Sequence, residues 1–238
     1  MLFPGNVGRH LSIDEVAITN GELYTVVTNK AKHGKNGALV AMVEGTKSGD
    51  ITRVLMEIPE AKRKTVTEVT MDMAETMEAA VRASFPNTKI VIDRFHVQQL
   101  VSEAVQEIRI ELKRIVTKEE NEAIKKAKAE GKDYHPVMHE NDDTKKQLLA
   151  RSRYVLFKPK NQWNNQQNER GLILFREYPT LKTAYDLSMM FRGSYENSHS
   201  IPEAREKLHA WYRKVEEKKM DAFLVPAESI RLPGKRPF

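Results

Sequence analysis

The sequence predicts an α/β fold in its first half, followed by an all-α region. Residues 66–99, VTEVTMDMAETMEAAVRASFPNTKIVIDRFHVQQ, alternate short apolar runs with amphipathic ones in the order strand, helix, strand, helix. Two Asn-Gly pairs before this unit separate β-rich runs, which is a strong signal for hairpins. After it, apolar residues keep the three-and-four spacing of helices. In βαβ units, function gathers at the carboxyl ends of the strands.

Three antiparallel strands are predicted to open the chain. Asn20-Gly21 and Asn36-Gly37 suit tight turns, because glycine and asparagine tolerate positive φ. The element order is then βββαβαβ, and the last strand, KIVID, is apolar enough to lie in the centre of the sheet. The predicted strands cover 12–19, 22–29, 38–43, 66–72 and 89–93, and the helices between them cover 51–58 and 77–84.

The second half is predicted to be entirely helical. A long amphipathic helix is expected over 97–115, and the charged stretch 117–133 is typical of a solvated helix or a mobile arm. A loop follows at 133–144. Further helices are expected at 148–157, 161–175, 179–191 and 201–220. The domain prediction is therefore a first region of 1–110 and a helical region of 111–238.

The composition excludes several classes of protein. With 238 residues, 40% of them apolar and 30% charged, the chain has the composition of a soluble globular protein with a real core. It has no cysteine, which excludes disulfides and thiolate metal sites. No stretch of about 18 apolar residues occurs, and the first residues lack the pattern of a signal peptide. We expect an intracellular, cytoplasmic protein without a membrane partner.

Charge is divided unevenly along the chain. Residues 1–110 carry 13 Lys and Arg against 14 Asp and Glu, whereas residues 111–238 carry 26 against 19. Between Lys145 and Lys182 there are nine basic residues and only two acids, Glu169 and Glu177. This asymmetry indicates a first half that holds cations and a second half that holds a polyanion.

Three carboxylates, Asp14, Asp72 and Asp93, stand on or at the end of predicted strands. Carboxylates that converge at strand ends bind hard cations, and Mg²⁺ takes one or two of them together with substrate phosphate oxygens. Two such ions, about 3.5–4 Å apart, stabilise the attacking and leaving oxygens of a phosphoryl displacement. The alternative is that each aspartate merely caps the helix that follows it.

The sequence Asp93-Arg94-Phe95-His96 adds a more specific pattern. A helix that starts after Asp93 places this carboxylate and His96 on the same face. The pair then either orients catalytic groups or consists of a capping aspartate beside an ordinary histidine. A Zn²⁺ site is not expected, because no further His or Cys has a suitable spacing.

Basic and aromatic residues alternate in the region 145–182. Lysine and arginine release counterions from a phosphate backbone, so we predict that this region contacts nucleic acid. Its aromatic residues either stack on bases or fill a helical core, and we favour the core. The candidate DNA-binding residues are Lys145, Lys146, Arg151, Arg153, Lys158 and Lys160.

Four segments together resemble bacterial insertion-sequence transposases of the ISL type, which are members of the DDE superfamily. The segments are LSIDEVAITNGELYTVVTNK, EVTMDMAETM, FPNTKIVIDRFHVQQLVSEAVQEIR and LLARSRYVLFK, and the resemblance extends from about residue 11 to about residue 223. The run Asp-Arg-Phe-His-Val is its most specific part. It fits an Asp-x-x-His motif that follows the second catalytic aspartate in several transposase superfamilies.

The resemblance implies a ribonuclease-H-like catalytic core whose first strand lies beside its fourth. Asp14 and Asp72 match the first two catalytic carboxylates and metal ligands, and Asp93 with His96 matches the accessory motif. An assignment of Asp93 as the second ligand stays open. The implied cofactor is Mg²⁺ or Mn²⁺, with a two-metal site expected only in the complete enzyme. The helical half corresponds to the insertion that precedes the final catalytic Glu.

The sequence departs from the family pattern in one respect that concerns catalysis. The family's third carboxylate is a Glu in an Asn-x-x-x-Glu-x-x-Asn context, and Glu228 has a different setting, so we do not assign it. We therefore expect a C-terminally truncated catalytic region. The implied partners are terminal inverted repeats, target DNA, a second copy of the chain and a separate DNA-binding polypeptide.

Three functional hypotheses follow. The leading one is metal-dependent phosphodiester cleavage and strand transfer at insertion-sequence ends, incomplete for want of the third carboxylate. The first alternative is a non-catalytic DNA-binding or oligomerisation fragment of a transposase. The second is a ribonuclease-H-like nuclease that acts on another nucleic acid.

Overall fold

A computed structural model of the chain describes residues 1–18 and 21–231. The predicted turn at Asn20 and the final segment 232–238 lie outside the described residues. The chain forms two compact units. One comprises Met1–His96 with the described residues after 228, and the other comprises Val97–Glu228. Among the described residues, no helix combines the length and the hydropathy that a membrane span requires.

The first unit contains a mixed sheet of five strands in the order β3-β2-β1-β4-β5. Its strands are β1 (His10–Ala17), β2 (Leu23–Asn29), β3 (Leu39–Glu44), β4 (Glu68–Met71) and β5 (Lys89–Ile92). The first three strands pair antiparallel as predicted, whereas β4 runs parallel to β1 and to β5. Together with its helices, this sheet confirms the predicted α/β class.

The placement of the KIVID strand in the centre of the sheet was wrong, since β5 stands at one edge. Ile92 is 5% exposed and Ile90 packs against the core, whereas Lys89 at the start of the strand is exposed. The central strand is β1, because it pairs with β2 on one side and with β4 on the other.

Helices cover one face of this sheet. They are α1 (Ser48–Met56), the short α2 (Glu60–Arg63) and α3 (Glu75–Ser84). Ile51 and Leu55 of α1 join Met77 and Val81 of α3 in one buried cluster with the inward residues of the strands. At about 25 cal/mol per Å² of apolar surface, burial of this cluster is the main stabilising contribution in the unit.

The second unit is all helical, as predicted, and a few of its boundaries differ from the prediction. Its helices are α4 (Arg94–Ala129, which begins in the first unit), α5 (Lys145–Arg151), α6 (Arg153–Phe157), α7 (Asn165–Glu177), α8 (Pro179–Glu196), α9 (Ile201–Lys218) and α10 (Leu224–Arg231, which ends outside it). The charged stretch after residue 117 continues α4 as far as Ala129, and α10 was not predicted.

The helix predicted over 148–157 is divided at Ser152. This residue is completely buried, and its hydroxyl donates a hydrogen bond of 2.5 Å to the carbonyl oxygen of Leu148. A serine that bonds back to the preceding turn competes with the regular backbone pattern and bends a helix. The sequence therefore forms α5 and α6 instead of one helix.

Aromatic side chains pack against one another in this unit, which supports the core interpretation for Trp163 and Phe175. The rings of Trp163, Phe175 and Tyr185 lie 5.0–6.0 Å apart, within the range of favourable aromatic pairs. The indole nitrogen of Trp163 donates to the carbonyl oxygens of Val155 and Lys158. Tyr154 is an exception, since it is 67% exposed.

We predict that Gly171→Ala destabilises the protein by about 1–3 kcal/mol. A Cβ atom at Gly171, within α7, would stand 2.5 Å from a ring carbon of Trp163. The control is Gly193→Ala within α8, where the nearest atom would be 3.4 Å away on a flexible Asn197 side chain. Because alanine favours helix over glycine, the control is expected to be neutral or stabilising. Urea denaturation compares the two, and equal stabilities would contradict the packing argument.

Candidate active site

The parallel pairing of β1 with β4 decides which side chains meet at the end of the sheet. Leu11 is paired with Val69, and Ser12 with Thr70. Continuing this register by two residues brings Asp14 level with Asp72. Since neighbouring strands lie about 4.8 Å apart, the two carboxylates stand in adjacent positions of one row.

Asp93 extends the same row by one strand. Met71 is paired with Ile92, and the backbone N–H of Asp93 donates to the carbonyl oxygen of Met71 at 2.6 Å. The next step of this register therefore places Asp93 level with Asp72. Extension of the two registers therefore sets Asp72 and Asp93, which directly follow β4 and β5, in line with Asp14 within β1.

The row lies on the face of the sheet that points away from the core. Leu11 and Ile13 of β1 are 0% and 1% exposed, and Val69 and Met71 of β4 are each 1% exposed. Successive side chains of a strand alternate between faces. Asp14 is accordingly exposed, and Asp72 and Asp93 are half-buried.

The two half-buried carboxylates each accept one backbone hydrogen bond from the helix start that follows. The Oδ1 atom of Asp72 accepts from the N–H of Ala74 at 2.8 Å, and Oδ1 of Asp93 accepts from the N–H of Phe95 at 2.9 Å. The bond to Asp93 caps α4, as the capping alternative requires, whereas the bond to Asp72 comes from Ala74 before the first turn of α3, which has no side-chain cap. Each bond involves only the Oδ1 atom of its carboxylate, so a role as cation ligand is compatible with both bonds.

His96 lies beside Asp93 without a hydrogen bond between them. Its Nδ1 atom is 3.8 Å from Oδ2 of Asp93, which is too long for such a bond. The same nitrogen is buried and has no hydrogen-bond partner among the described residues. The predicted pair is thus adjacent on one helical turn, and the nitrogen of His96 is left unsatisfied.

The donor set suits Mg²⁺ or Mn²⁺ in part. Asp14 and Asp72 offer two hard oxygen donors on neighbouring strands, the number that Mg²⁺ commonly takes from a protein when substrate phosphates complete its coordination. The described residues contain no group of three or more His, Asp or Glu side chains arranged to hold a metal ion. The residues fit a site that shares its metal with a substrate.

A comparison with known protein families identifies the family of the chain. A family model described as a transposase, of the ISL3-type DDE group, matches residues 11–232. The chain belongs to this transposase family. A search of curated proteins gave no match. The matched residues include all three carboxylates of the row and nearly the whole helical unit of the transposase.

The six basic residues that we singled out in the transposase have different surroundings. Lys146 forms an ion pair of 2.9 Å with Glu120, and Arg151 forms one with Asp143. The other four side chains are exposed and make no ion pair with a described residue; they are Lys145, Arg153, Lys158 and Lys160. These four positive charges are available to an external anion.

Asp143 is the centre of an ionic network that the sequence did not reveal. Its side chain is fully buried and accepts hydrogen bonds from Arg151, from Arg170 at 2.8 Å and from the amide of Asn141 at 2.9 Å. Burial by itself would raise the pKa of Asp143, but the two guanidinium groups hold this pKa below its ordinary value of 3.8. The network ties the loop before α5 to α5 and α7.

Arg109 is a second charged residue that was missed. It is 8% exposed and belongs to the buried face of α4, four residues after Val105. The available signal was a basic residue at the spacing of the apolar stripe, a position where a charge needs compensation.

We predict that Asp143→Asn lowers the free energy of unfolding by about 3–5 kcal/mol at pH 7, since it leaves two arginines without their buried partner. Because the folded-state pKa of Asp143 lies below 3.8, this stabilisation is present above that pH and is lost as the pH falls through the folded-state value. The difference between the variant and the parent chain should therefore shrink in acid.

The control for this prediction is Asp142→Asn. Asp142 is exposed, makes no ion pair with a described residue and has a φ of 59°, a conformation that asparagine tolerates. We expect a change within about 0.5 kcal/mol. Equal losses in the two variants, measured by denaturant unfolding at pH 7 and pH 3, would contradict the role given to Asp143.

Proposed function

We propose that this transposase catalyses metal-dependent phosphodiester cleavage and strand transfer at insertion-sequence ends. The observation that carries the proposal is the parallel register of β1 against β4, which, extended by two residues, sets Asp14 within β1 opposite Asp72 just after the end of β4. Carboxylates in this position, with exposed basic residues elsewhere in the chain, suit a substrate that carries phosphates.

We further propose that the sheet is that of a ribonuclease-H-like core. The support is its strand order, β3-β2-β1-β4-β5, with three antiparallel strands followed by two parallel ones, and helices on one face. In this proposal the helical region 111–238 is the insertion that the resemblance implies.

Asp14 and Asp72 are the proposed ligands of Mg²⁺ or Mn²⁺. When bound, such an ion lowers the pKa of a water molecule and offsets charge on the phosphate oxygens. The protein's own contribution is placement. The parallel pairing of β1 with β4 supports a placement of Asp14 beside Asp72, and the Asp72 carboxylate accepts a hydrogen bond from the N–H of Ala74.

Asp93 and His96 have a proposed positioning role. The cap that Asp93 provides fixes the first turn of α4, and this turn carries His96. The unsatisfied Nδ1 atom of His96 lies 3.8 Å from Oδ2 of Asp93, so a small shift of either side chain would form a hydrogen bond. The first experiment below distinguishes this assignment from the alternative, in which Asp93 is the second metal ligand.

The proposal also includes the level of strand-transfer activity. No Glu of the 238 residues stands in the Asn-x-x-x-Glu-x-x-Asn context of the family's third carboxylate. We therefore expect the chain of 238 residues to bind DNA and metal but to show weak or no strand transfer on its own. The proposed partners are terminal inverted repeats, target DNA, a second copy of the chain and a DNA-binding polypeptide, in the cytoplasm.

We predict that Asp14→Asn and Asp72→Asn each weaken Mn²⁺ binding at least tenfold, since each removes one of two proposed ligands. Titration calorimetry with Mn²⁺ measures this directly. Cleavage of a labelled inverted-repeat duplex in Mg²⁺ is measured in parallel. Glu15→Gln is the matched control, because this exposed carboxylate follows Asp14 on β1 and alternation turns it to the other side of the strand.

The outcomes separate the hypotheses. Full Mn²⁺ affinity in Asp72→Asn with a loss in Asp93→Asn would make Asp93 the second ligand. Robust Mg²⁺-dependent strand transfer by the unmodified chain would overturn the expected weakness. DNA binding that is indifferent to Mg²⁺, with no Mn²⁺ bound by the unmodified chain, would favour the non-catalytic DNA-binding alternative.

We predict that the double variant Lys158→Gln/Lys160→Gln binds duplex DNA more weakly and lowers the salt dependence of binding. Removal of one phosphate contact should reduce the slope of log K against log salt by about 0.9, so the expected change for two lysines is about 1.8. The control Lys146→Gln/Lys182→Gln removes the same charge from lysines already paired with Glu120 and Asp186. Equal slopes for the two double variants would contradict the assignment.

A further inference from the structure

Arg109 on α4 is a buried cation without an acidic partner among the described residues. Its Nε donates to the side-chain oxygen of Gln106 at 2.7 Å, and its Nη1 donates to the carbonyl oxygen of Leu149 at 3.0 Å. Neither acceptor carries a charge, and Arg109 forms no ion pair with a described residue. A guanidinium stays protonated even when buried, so its charge is left uncompensated within the described part of the chain.

A second positive charge acts on the same group. Burial and, after it, the charge of Arg153 lower the pKa of Arg109. Arg153 is one of the four exposed basic residues of the region 145–182 that make no ion pair with a described residue. The unfavourable environment of Arg109 would be relieved by an anion beside it.

Arg109 also stands at one end of an open groove whose lining residues all belong to α4. The groove has a volume of about 600 Å³, and five of its lining side chains are basic while one, Glu122, is acidic. The basic set is Arg109, Lys113, Arg114, Lys118 and Lys125. None of these side chains forms an ion pair with a described residue. Thr117 and Asn121 add neutral polar groups to the same face.

The length of this surface indicates a polymeric anion. From Arg109 to Lys125 the helix advances sixteen residues, or about 24 Å at 1.5 Å per residue. A single phosphate group fills only a small part of that length. Duplex DNA carries one negative charge per roughly 1.7 Å of its axis and releases counterions wherever lysine or arginine replaces them.

We propose that this face of α4, from Arg109 to Lys125, binds the phosphate backbone of DNA, with Arg109 as the fixed contact and the exposed basic residues as the adaptable ones. The inference rests on the proposed function for the identity of the polyanion. It adds a binding surface on α4 to the candidates at 145–160.

The role of Arg109 follows from its fixed orientation. Two of its nitrogens are held by Gln106 and Leu149, whereas its Nη2 atom makes no hydrogen bond to a described residue. A guanidinium restrained in this way loses little side-chain entropy when it meets a phosphate. Arg114, Lys118 and Lys125 are exposed, so they contribute charge without prior restraint.

The test is the salt dependence of duplex DNA binding by the full chain. The triple variant Arg114→Gln/Lys118→Gln/Lys125→Gln is expected to lower the slope of log K against log salt by about 2.7. The matched control, Lys207→Gln/Lys214→Gln/Lys218→Gln on α9, removes the same charge from lysines paired with Glu203 and Glu217. The control should leave the slope close to that of the parent chain.

Arg109→Lys tests the fixed contact separately. Lysine keeps the charge but loses the planar fork, so DNA affinity should fall severalfold while the circular dichroism spectrum stays unchanged. Thermal unfolding with and without duplex guards against misfolding. A variant that folds but binds DNA like the parent chain would overturn the role of Arg109, and one that does not fold leaves the triple variant to decide.

Failure of this inference is distinct from failure of the proposed function. If the parent chain binds no DNA, the proposed function fails. If it binds DNA and the triple variant behaves like its control, only the α4 surface is refuted. A last experiment measures thermal unfolding of the parent chain and the triple variant with inorganic phosphate at constant ionic strength. Thermal stabilisation by phosphate that the triple variant loses, with DNA slopes unchanged, would assign the groove to small phosphates and overturn the proposal for DNA.

Discussion

The parallel pairing of β1 with β4 is the constraint on which the candidate active site depends. The paired stretch is short, from His10–Ser12 against Glu68–Thr70, yet it determines which side chains stand level at the end of the sheet. Because side chains alternate in a strand, a slip of one residue would turn Asp14 towards the buried cluster and away from Asp72. Leu11 and Ile13 oppose that slip, since it would expose both of them.

The elements of the first unit were predictable because their signals are local. Asn-Gly pairs, apolar alternation and the Phe-Pro-Asn stop after α3 depend on neighbours in sequence. The position of β5 at the edge was not predictable, because apolarity reports burial and does not report which strand a segment pairs with. The same holds for the candidate site. The sequence identified Asp14, Asp72 and Asp93 as candidates, whereas their alignment depends on the strand register, which the sequence does not reveal.

The helical unit shows where charge patterns cease to be informative. A lysine or arginine in the sequence carries no sign of whether an acid will neutralise it after folding. Arg151 meets Asp143 only because the loop before α5 folds back, whereas Lys158 and Lys160 meet no acid among the described residues. Burial of Asp143 requires arginines from two helices at once, so no local pattern could have indicated it.

The long chain separation across the β1–β4 pair has a consequence for biosynthesis. Partners in this pair are 58 residues apart, as in the hydrogen bond from Thr67 to Arg9. Contacts between distant residues form late, because the loop between them must close first. A nascent chain that has completed the hairpins therefore displays Asp14 by itself. Asp72 can align with Asp14 only after β4 has paired with β1, so the candidate site is assembled late in the folding of the first unit.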